Sequence, residues 1–385
     1  MSSGLASPPL KRGSTFESDG YHYEVVRTLV EDAAYDTLLL ATREHPEQAR
    51  RLLVVLKPVA LGEEHHLQRR AREEVQLARY LQHPNIAAVH GYAVYGGQPY
   101  VVMEHMHGCF LLTVMDAALQ SGVTLSPAFA AYVAAEVADA LEYAHRCVDD
   151  MGRPLKLVHR AVGPLRIRLG VGSNVKLTNF GAAFSEMLGR LPTPTGLLRG
   201  DTNYLAPEIL QNVLRPALDR PDALTPRNLD GRADIFSLGL VLLEMLAASY
   251  PLDPPEELPS HAPQLPAHVR SERPPLLKLE TLADRVLHLG PEEVRSASRN
   301  VPEPLRGIVT RALRQAPAER YPTAGDMAAE LRQYLGTLGQ PYGRRELDEE
   351  VARILKHAAR YHTLDALGSV EKGVLPLPPD MEGEE

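Results

Sequence analysis

The stretch "LVHRAVGPLRIRLG" (157–170), with "VKLTNFG" (175–181) after it, gathers side chains suited to chemistry: His159, Arg160, Arg166, Arg168 and Asn179. A guanidinium carries donors and no acceptor, so Arg166 cannot hold a metal ion. Asn179 offers a divalent cation only a neutral carbonyl, a weaker ligand than a carboxylate. Around Asn179 the sequence supplies no acidic residue to make up the difference. Further off, Lys57 and Glu74 could form an ion pair or each face solvent. His65, His66, His105 and His107 do not make a metal set and read as surface histidines. The two cysteines, Cys109 and Cys147, are too few for a disulfide framework, and nothing suggests that either thiol is activated.

The elements that must position these residues change character along the chain. From Tyr21 to Val102 the apolar runs are short and bounded by turn-prone polar segments: "YEVVRTLV", "DTLLLA", "RRLLVVLK", "AAVHGYAV" and "PYVVMEH". They predict a mostly antiparallel sheet. One helical segment interrupts it, "EEHHLQRRAREEVQLARYLQ", with Val75, Ala78 and Leu81 near helical spacing. Beyond "HMHG" the period becomes helical. "SPAFAAYVAAEVADALEYAHRC" has Ser126 as N-cap, Pro127 in its first turn, and Val133, Val137 and Leu141 on one stripe. "RADIFSLGLVLLEMLAA" is apolar nearly all round and must be deeply buried. "PEPLRGIVTRALRQ" and "AGDMAAELRQYLGTL" are two more helices.

The composition is that of a soluble globular protein: 385 residues, 44% apolar, 23% charged, net charge -8. A chain of this length can bury a substantial core, and its acidity gives no reason to expect a nucleic-acid partner. The first 20 residues, rich in Ser, Gly and Pro, read as a disordered lead with no signal peptide, and nothing later approaches a membrane span. The expectation is a cytoplasmic protein without membrane contact. Residues 250–275 form a Pro-rich surface excursion. An amphipathic helix follows the last domain helix within 341–370, with Val351, Ile354, Leu355 and Ala358 apolar, and 371–385 reads as a disordered acidic tail.

In this order the segments resemble a protein kinase: an α+β, two-lobed fold with a small β-rich lobe and one main helix (21–106), then a larger, mainly helical lobe (107–340). The phrase "ADALEYAHRCVDDMGRPLKLVHRAV…VKLTNFG" is most similar to bacterial Ser/Thr kinases of the kind abundant in myxobacteria. Lys57 in "VVLK" matches the Lys of the third strand, and Glu74 the helix Glu that pairs with it. Tyr204–Glu208 match the end of the activation segment and Asp234 the Asp of the buried helix. Arg320 in "ERYPTAGDM" matches the Arg that pairs with the "APE" Glu, here Glu208. His159, Phe180, Ala78 and Val89 match side chains that stack between the lobes of an ordered kinase. These, with Asp234, Glu208 and Arg320, read as structural.

The same resemblance shows what has been exchanged. The catalytic-loop Asp that orients the acceptor hydroxyl is Ala161, the loop's Lys or Ser is Gly163, its magnesium-binding Asn is Arg166, and the metal-binding Asp of "DFG" is Asn179. The glycine-rich loop is "LVEDAAYDTLLLA", which has no glycine and carries Glu31, Asp32 and Asp36. Phosphoryl transfer needs held phosphates, divalent metal and a carboxylate on the acceptor. The expectation is therefore a degenerate pseudokinase with no enzymatic activity, no cofactor and no metal. Val55, the gatekeeper Met103 and the hinge Glu104–Met106 leave a vestigial nucleotide cleft with Lys57 and Glu74. Arg168 falls where kinases carry an apolar residue below the adenine and would fill that space; a register shift of one would put Ile167 or Leu169 there instead. Thr193, Thr195 and Thr202 could accept phosphate in trans and Arg160 could pair with it.

A kinase shell of this kind implies a regulatory or scaffolding role through protein contacts, with an active Ser/Thr kinase or a second copy as partner. The helix around Glu74, the Pro-rich excursion and the C-terminal helix are the candidate surfaces; the last could pack on its own lobe or on a partner. The alternatives are a switch that binds ATP without metal, and atypical transferase chemistry with ATP in another pose.

Overall fold

The computed structural model describes residues 10–32, 35–59, 65–172, 174–187, 201–214, 229–252 and 279–361. Among these the chain forms two compact units. One takes the chain as far as Gln82 together with Ala87–Gly108; the other takes His83–Ile86 and the chain from Cys109 onward.

The first unit is an antiparallel sheet of six strands: β1 (Thr15–Ser18), β2 (Tyr21–Asp32), β3 (Tyr35–His45), β4 (Gln48–Pro58), β5 (Val89–Tyr95) and β6 (Gln98–Glu104). They lie in the order β1-β2-β3-β4-β6-β5. Side chains alternate across the sheet, so each strand feeds two packing layers. Tyr23, Val25, Leu39, Ala41, Val54, Leu56, Tyr100 and Val102 fill one layer. Val59 and Val101 occupy the other, with Val75 of the single helix, α1 (His65–Ala78), packed against them alongside Val89, Tyr92 and Met103.

The ordered chain begins earlier than the sequence suggested. Leu10 and Phe16 are buried, and the Phe16 ring stacks on Tyr23 with centroids 4.9 Å apart. The disordered lead expected over 1–20 is thus corrected for residues 10–20, because Leu10 and Phe16 both enter the buried layer of the sheet, which outweighs the Ser/Gly-rich composition around them. Residues 1–9 lie outside the described residues, as do Thr193, Thr195, the Pro-rich excursion beyond Leu252 and the tail 371–385. Glu31, Asp32 and Asp36 also fall among residues whose side chains are not described.

The second unit is mainly helical. Its axis is α3 (Pro127–His145), packed on α5 (Arg232–Ala247) and α9 (Ala324–Gly336), with α8 (Glu303–Ala312) against α5 and α9. The Ser126 hydroxyl accepts the Phe129 N–H at 3.0 Å, capping α3 with Pro127 at its first position. In α5 every residue from Ala233 to Met245 is buried, as a helix without a polar face requires. Three short strands, β7 (Gly108–Phe110), β8 (Ile167–Gly170) and β9 (Val175–Leu177), form a ladder with β8 in the middle, packed against α2 (Leu111–Gln120) and α3. Nothing in the residue pattern announces this ladder, since runs of three or four residues are too short to show a period. Shorter helices, α4 (Pro207–Leu214), α6 (Leu279–His288) and α7 (Pro291–Ala297), complete the unit.

The C-terminal helix α10 (Arg344–Tyr361) buries Leu347, Val351, Ile354 and Ala358 and packs against α2 of its own chain. Its one buried acid, Glu350, accepts hydrogen bonds from the Ser126 N–H at 2.8 Å, the Ser126 hydroxyl at 2.7 Å and the Tyr342 hydroxyl at 2.9 Å. Among the described residues no helix is long and apolar enough to cross a membrane.

Candidate functional site

Asp234, wholly buried near the start of α5, organises the loop that carries the exchanged residues. One of its oxygens accepts the His159 N–H at 2.7 Å and the other the Arg160 N–H at 2.8 Å. The ring Nε2 of His145, at the end of α3, lies 2.8 Å from the first of these oxygens. Burial by itself would raise the Asp234 carboxyl, but the His145 hydrogen bond and nearby positive potential hold it below the usual carboxylate range. A buried carboxylate with three donors is a satisfied one.

His159 follows from that anchor. Its Nε2 donates to the Thr178 carbonyl at 3.0 Å and its Nδ1 accepts the Ala161 N–H at 3.2 Å. Because a carbonyl can only accept, these bonds fix the neutral tautomer with the proton on Nε2. Burial pushes the imidazole down to about 4. The ring meets Phe180 edge to face, centroids 4.6 Å apart. His159 therefore pins the loop and has no free nitrogen for proton transfer. Arg160 and Asn179, on either side of this pin, both hold left-handed backbone, φ +64° and +65°. Such values are uncommon for residues with a side chain and persist where the surroundings impose them.

Around this frame the exchanged residues take up definite positions. Ala161 is 3% exposed and Gly163 is buried. A Cβ on Gly163 would stand 2.9 Å from Asp201 Oδ2 and 3.0 Å from the Tyr204 ring, so a side chain here would displace the carboxylate from this approach. Asp201 Oδ1 meanwhile accepts the Asn203 N–H at 3.2 Å, capping the turn Thr202–Tyr204. Arg166 is largely withdrawn from solvent. Burial lowers its guanidinium, the Asp201 charge acts the other way, and its Nε has no hydrogen-bond partner. Asn179 makes no side-chain cap bond. Thr202 opens the capped turn, half-buried, and Arg160 sets its guanidinium 6.0 Å from the Phe184 ring.

Arg168 lies between Ile167 and Leu169, which are both buried, so it points to the opposite side of β8. Its guanidinium sits over Phe110 at 4.5 Å, a cation–π distance.

In the sheet unit, Lys57 and Val55 share the face that carries Val101 and Met103; Lys57 is opposite Val101 and Val55 opposite Met103. Among the described residues no ion pair joins Lys57 to Glu74. Glu74 is 8% exposed and lies near Tyr92, whose phenol is pushed up by burial first and then by the Glu74 charge. Ala78 and Val89 stand on the sheet unit, half-buried.

Among the described residues the most complete interaction is at Arg320, whose side chain is fully buried. Nη1 and Nη2 each reach a Glu208 oxygen at 2.8 Å. The remaining three donors reach the carbonyls of Arg314 (2.7 Å), Arg232 (2.9 Å) and Gln315 (3.0 Å). All five N–H groups are used. Glu208 lies in the first turn of α4, which begins two residues beyond the capped turn Thr202–Tyr204, so the pair ties that region to the helical core. Tyr204 contributes a second tie, its hydroxyl donating to buried Glu244 at 2.6 Å.

Sequence reasoning missed His145, Asp201 and Glu244. His145 stands in "YAHRC" at a helix end, where a buried acid's partner can sit, but nothing local points to Asp234, 89 residues on. Asp201 gives no signal until Gly163 is seen against it.

At the two positions where the family pattern has metal ligands, the side chains are weak ones. Arg166 has no acceptor, Asn179 offers a single neutral carbonyl, and among the described residues no group of three His, Cys, Asp or Glu could hold an ion.

A family model described as "Protein kinase domain" matches residues 43–330. The tyrosine-protein kinase MasK of Myxococcus xanthus is 30% identical over 265 residues, 69% of this chain and 35% of that protein. The serine/threonine-protein kinase PrkC of Bacillus subtilis is 27% identical over 264 residues, 69% and 33% of the two chains. This chain thus spans about a third of the length of the curated relatives it matches. Among solved structures, the PknI kinase domain of Mycobacterium tuberculosis matches at a TM-score of 0.51 and 25% identity, covering 84% of this chain and 99% of that one. The relatives are named as kinases, so the expectation that this chain is not an enzyme is corrected. Missing side chains at four positions tell which groups are gone and not what other groups supply.

Proposed function

Since the chain belongs to the protein kinase family, we propose that it is a regulatory kinase-family protein that works mainly through contact with a protein partner and transfers phosphate slowly. The partner is an active Ser/Thr kinase or a second copy of this chain. The observation that carries this reading is the contrast within one loop. Asp234 and His159 hold its backbone through hydrogen bonds, and the Arg320–Glu208 pair locks the neighbouring helix α4, while Ala161 and Asn179 stand where the family pattern has carboxylates. A held loop presents a fixed surface whatever its turnover. A missing acceptor-orienting group slows transfer by about 10²–10⁴-fold, from family rates of roughly 1–100 per second.

Two measurements test it. Phosphorylation of a Ser/Thr peptide with ATP, with and without magnesium, should give turnover at least about 100-fold below that family range. Addition of the protein to an active bacterial Ser/Thr kinase should change that kinase's rate in a saturable way, with a complex or self-association seen by sedimentation. Turnover within the ordinary range, or no effect on any kinase together with a monomer at all concentrations, would overturn the reading. A second reading is nucleotide binding without metal, which requires that Arg168, its cation seated over Phe110, leave the space below the adenine open. An equal rise in melting temperature with ATP in magnesium and in EDTA would support it.

A further inference from the structure

We propose that Asp201 supplies the carboxylate that Ala161 lacks, so that the acceptor hydroxyl is oriented from the turn before α4 and not from the loop itself. This rests on the slow phosphotransfer proposed above and names the group responsible for it. Three observations converge on one place. Asp201 Oδ2 lies where a Gly163 Cβ would be only 2.9 Å away, so the carboxylate is pressed against the loop two residues beyond Ala161. Gly163 and Ala161 are both small, which opens the room that this approach needs. The Arg166 guanidinium feels the Asp201 charge and keeps it company in a site mostly withdrawn from water. The changes at 161, 163 and 166 then form one set: a carboxylate leaves the loop, two small residues clear its place, and a cation steadies the carboxylate that arrives from outside.

Asp201 is well held for this work. Its Oδ1 accepts the Asn203 N–H, Tyr204 is tied to Glu244, and Glu208 is locked by Arg320. Oδ2 is the oxygen on the loop side. In the proposed step the acceptor hydroxyl oxygen bonds to the γ-phosphorus of ATP. The bond from that phosphorus to the β–γ bridging oxygen breaks, ADP leaves with the electron pair, and the hydroxyl proton passes to Asp201. The group acts by accepting a hydrogen bond from the hydroxyl and then its proton.

The experiment compares the full chain with D201N, D201E, A161D and the double variant A161D/D201N. Phosphorylation of a Ser/Thr peptide by ATP is followed against pH, with the KM for ATP and the melting temperature measured alongside. Asparagine caps a turn as well as aspartate, so D201N should fold and melt like the parent. Its kcat should fall about 100-fold or more with KM for ATP unchanged, and the acid limb of the pH profile should vanish. D201E should retain part of the rate, and A161D should restore it in the D201N background. If the parent transfers phosphate and D201N does so equally well with the same pH profile, the assignment to Asp201 is wrong while the slow kinase stands. Should the parent transfer none in any condition, both fall. If D201N melts well below the parent, D201E and A161D/D201N decide: a rate that follows the melting temperature in both, with no gain from A161D, would make Asp201 a structural cap and overturn the proposal.

Discussion

Arg320 and Arg166 are both arginines taken out of water in the helical unit, and their surroundings differ in every respect that matters for energy. Arg320 spends five donors on five acceptors, two of them the oxygens of Glu208, and lies over Phe236 at 4.9 Å. Arg166 has an Nε with no partner and a single acid, Asp201, within electrostatic reach. Desolvating a charge is costly unless geometry and hydrogen bonds repay it. The first residue meets that condition and the second does so only in part. The difference separates a frame that the fold cannot do without from a loop whose chemistry has been rewritten on top of it.

The largest effect should come from breaking the frame. Arg320→Met leaves Glu208 without its cation and four carbonyl or carboxylate partners short of a donor. Removal of one member of a buried pair typically costs about 3–5 kcal/mol, and urea denaturation should show a loss of that size. A loss under about 1 kcal/mol would mean that Glu208 finds water instead, and the contrast with Arg166 would disappear.

The same frame should respond to acid. His159 is held neutral down to about pH 4, whereas an unfolded histidine takes up its proton near pH 6.5. Between those values the unfolded chain binds more protons, so stability rises with pH and is lost as pH falls from 6.5 toward 4, by roughly 3 kcal/mol in all. Asp234, with a depressed carboxyl, runs in the same sense: its contribution is present above the unfolded carboxylate pKa and is lost as pH drops through the folded one. Stability measured by denaturant at steps from pH 7 to 4 should decline, and His159→Gln should flatten the upper part of that slope. A parent profile flat from 7 to 5 would show that His159 is protonated in the folded state.

How much of this was legible beforehand depends on whether a residue announces its partner locally. Asp234, Glu208 and Arg320 sit inside short motifs with a kinase-like order, so their roles could be read before the fold was seen. The antiparallel sheet and the long helices followed from period alone. Leu10 and Phe16 were not read as ordered, because two apolar residues in a Ser/Gly-rich lead carry no period. Glu350 lies on an amphipathic helix whose polar face gave no hint that one acid turns inward to the α3 cap. Asp201 and Gly163 are 38 positions apart in the chain, and no spacing rule links them. The inference from four exchanged residues to a chain that is no enzyme is overturned by its kinase relatives: it counted losses at motif positions, where sequence is informative, and had no view of the rest of the site.

Glu350 extends the comparison outside the range matched by the family model, which ends at residue 330. Its carboxylate satisfies the Ser126 N–H and hydroxyl and the Tyr342 hydroxyl at 7% exposure. Glu350→Ala strands a backbone donor at the N-terminus of the longest helix and should cost about 2 kcal/mol. If denaturation shows no change, α10 is an appendage to the frame and not a part of it.

The smallest stability change is expected at Arg166, and its smallness is informative. Arg166→Met keeps most of the side-chain volume and removes a charge whose Nε is unpartnered. Replacing a poorly matched buried charge by an apolar group is often neutral or mildly favourable. The expected shift is therefore under about 1 kcal/mol in either direction, against several for Arg320→Met. Turnover should fall nonetheless, since Asp201 loses the cation beside it; stability and activity part company at this residue and move together at Arg320. A loss at Arg166 as large as that at Arg320 would show that the Arg166–Asp201 interaction belongs to the frame, and the division between frame and rewritten loop would have to be redrawn to include it.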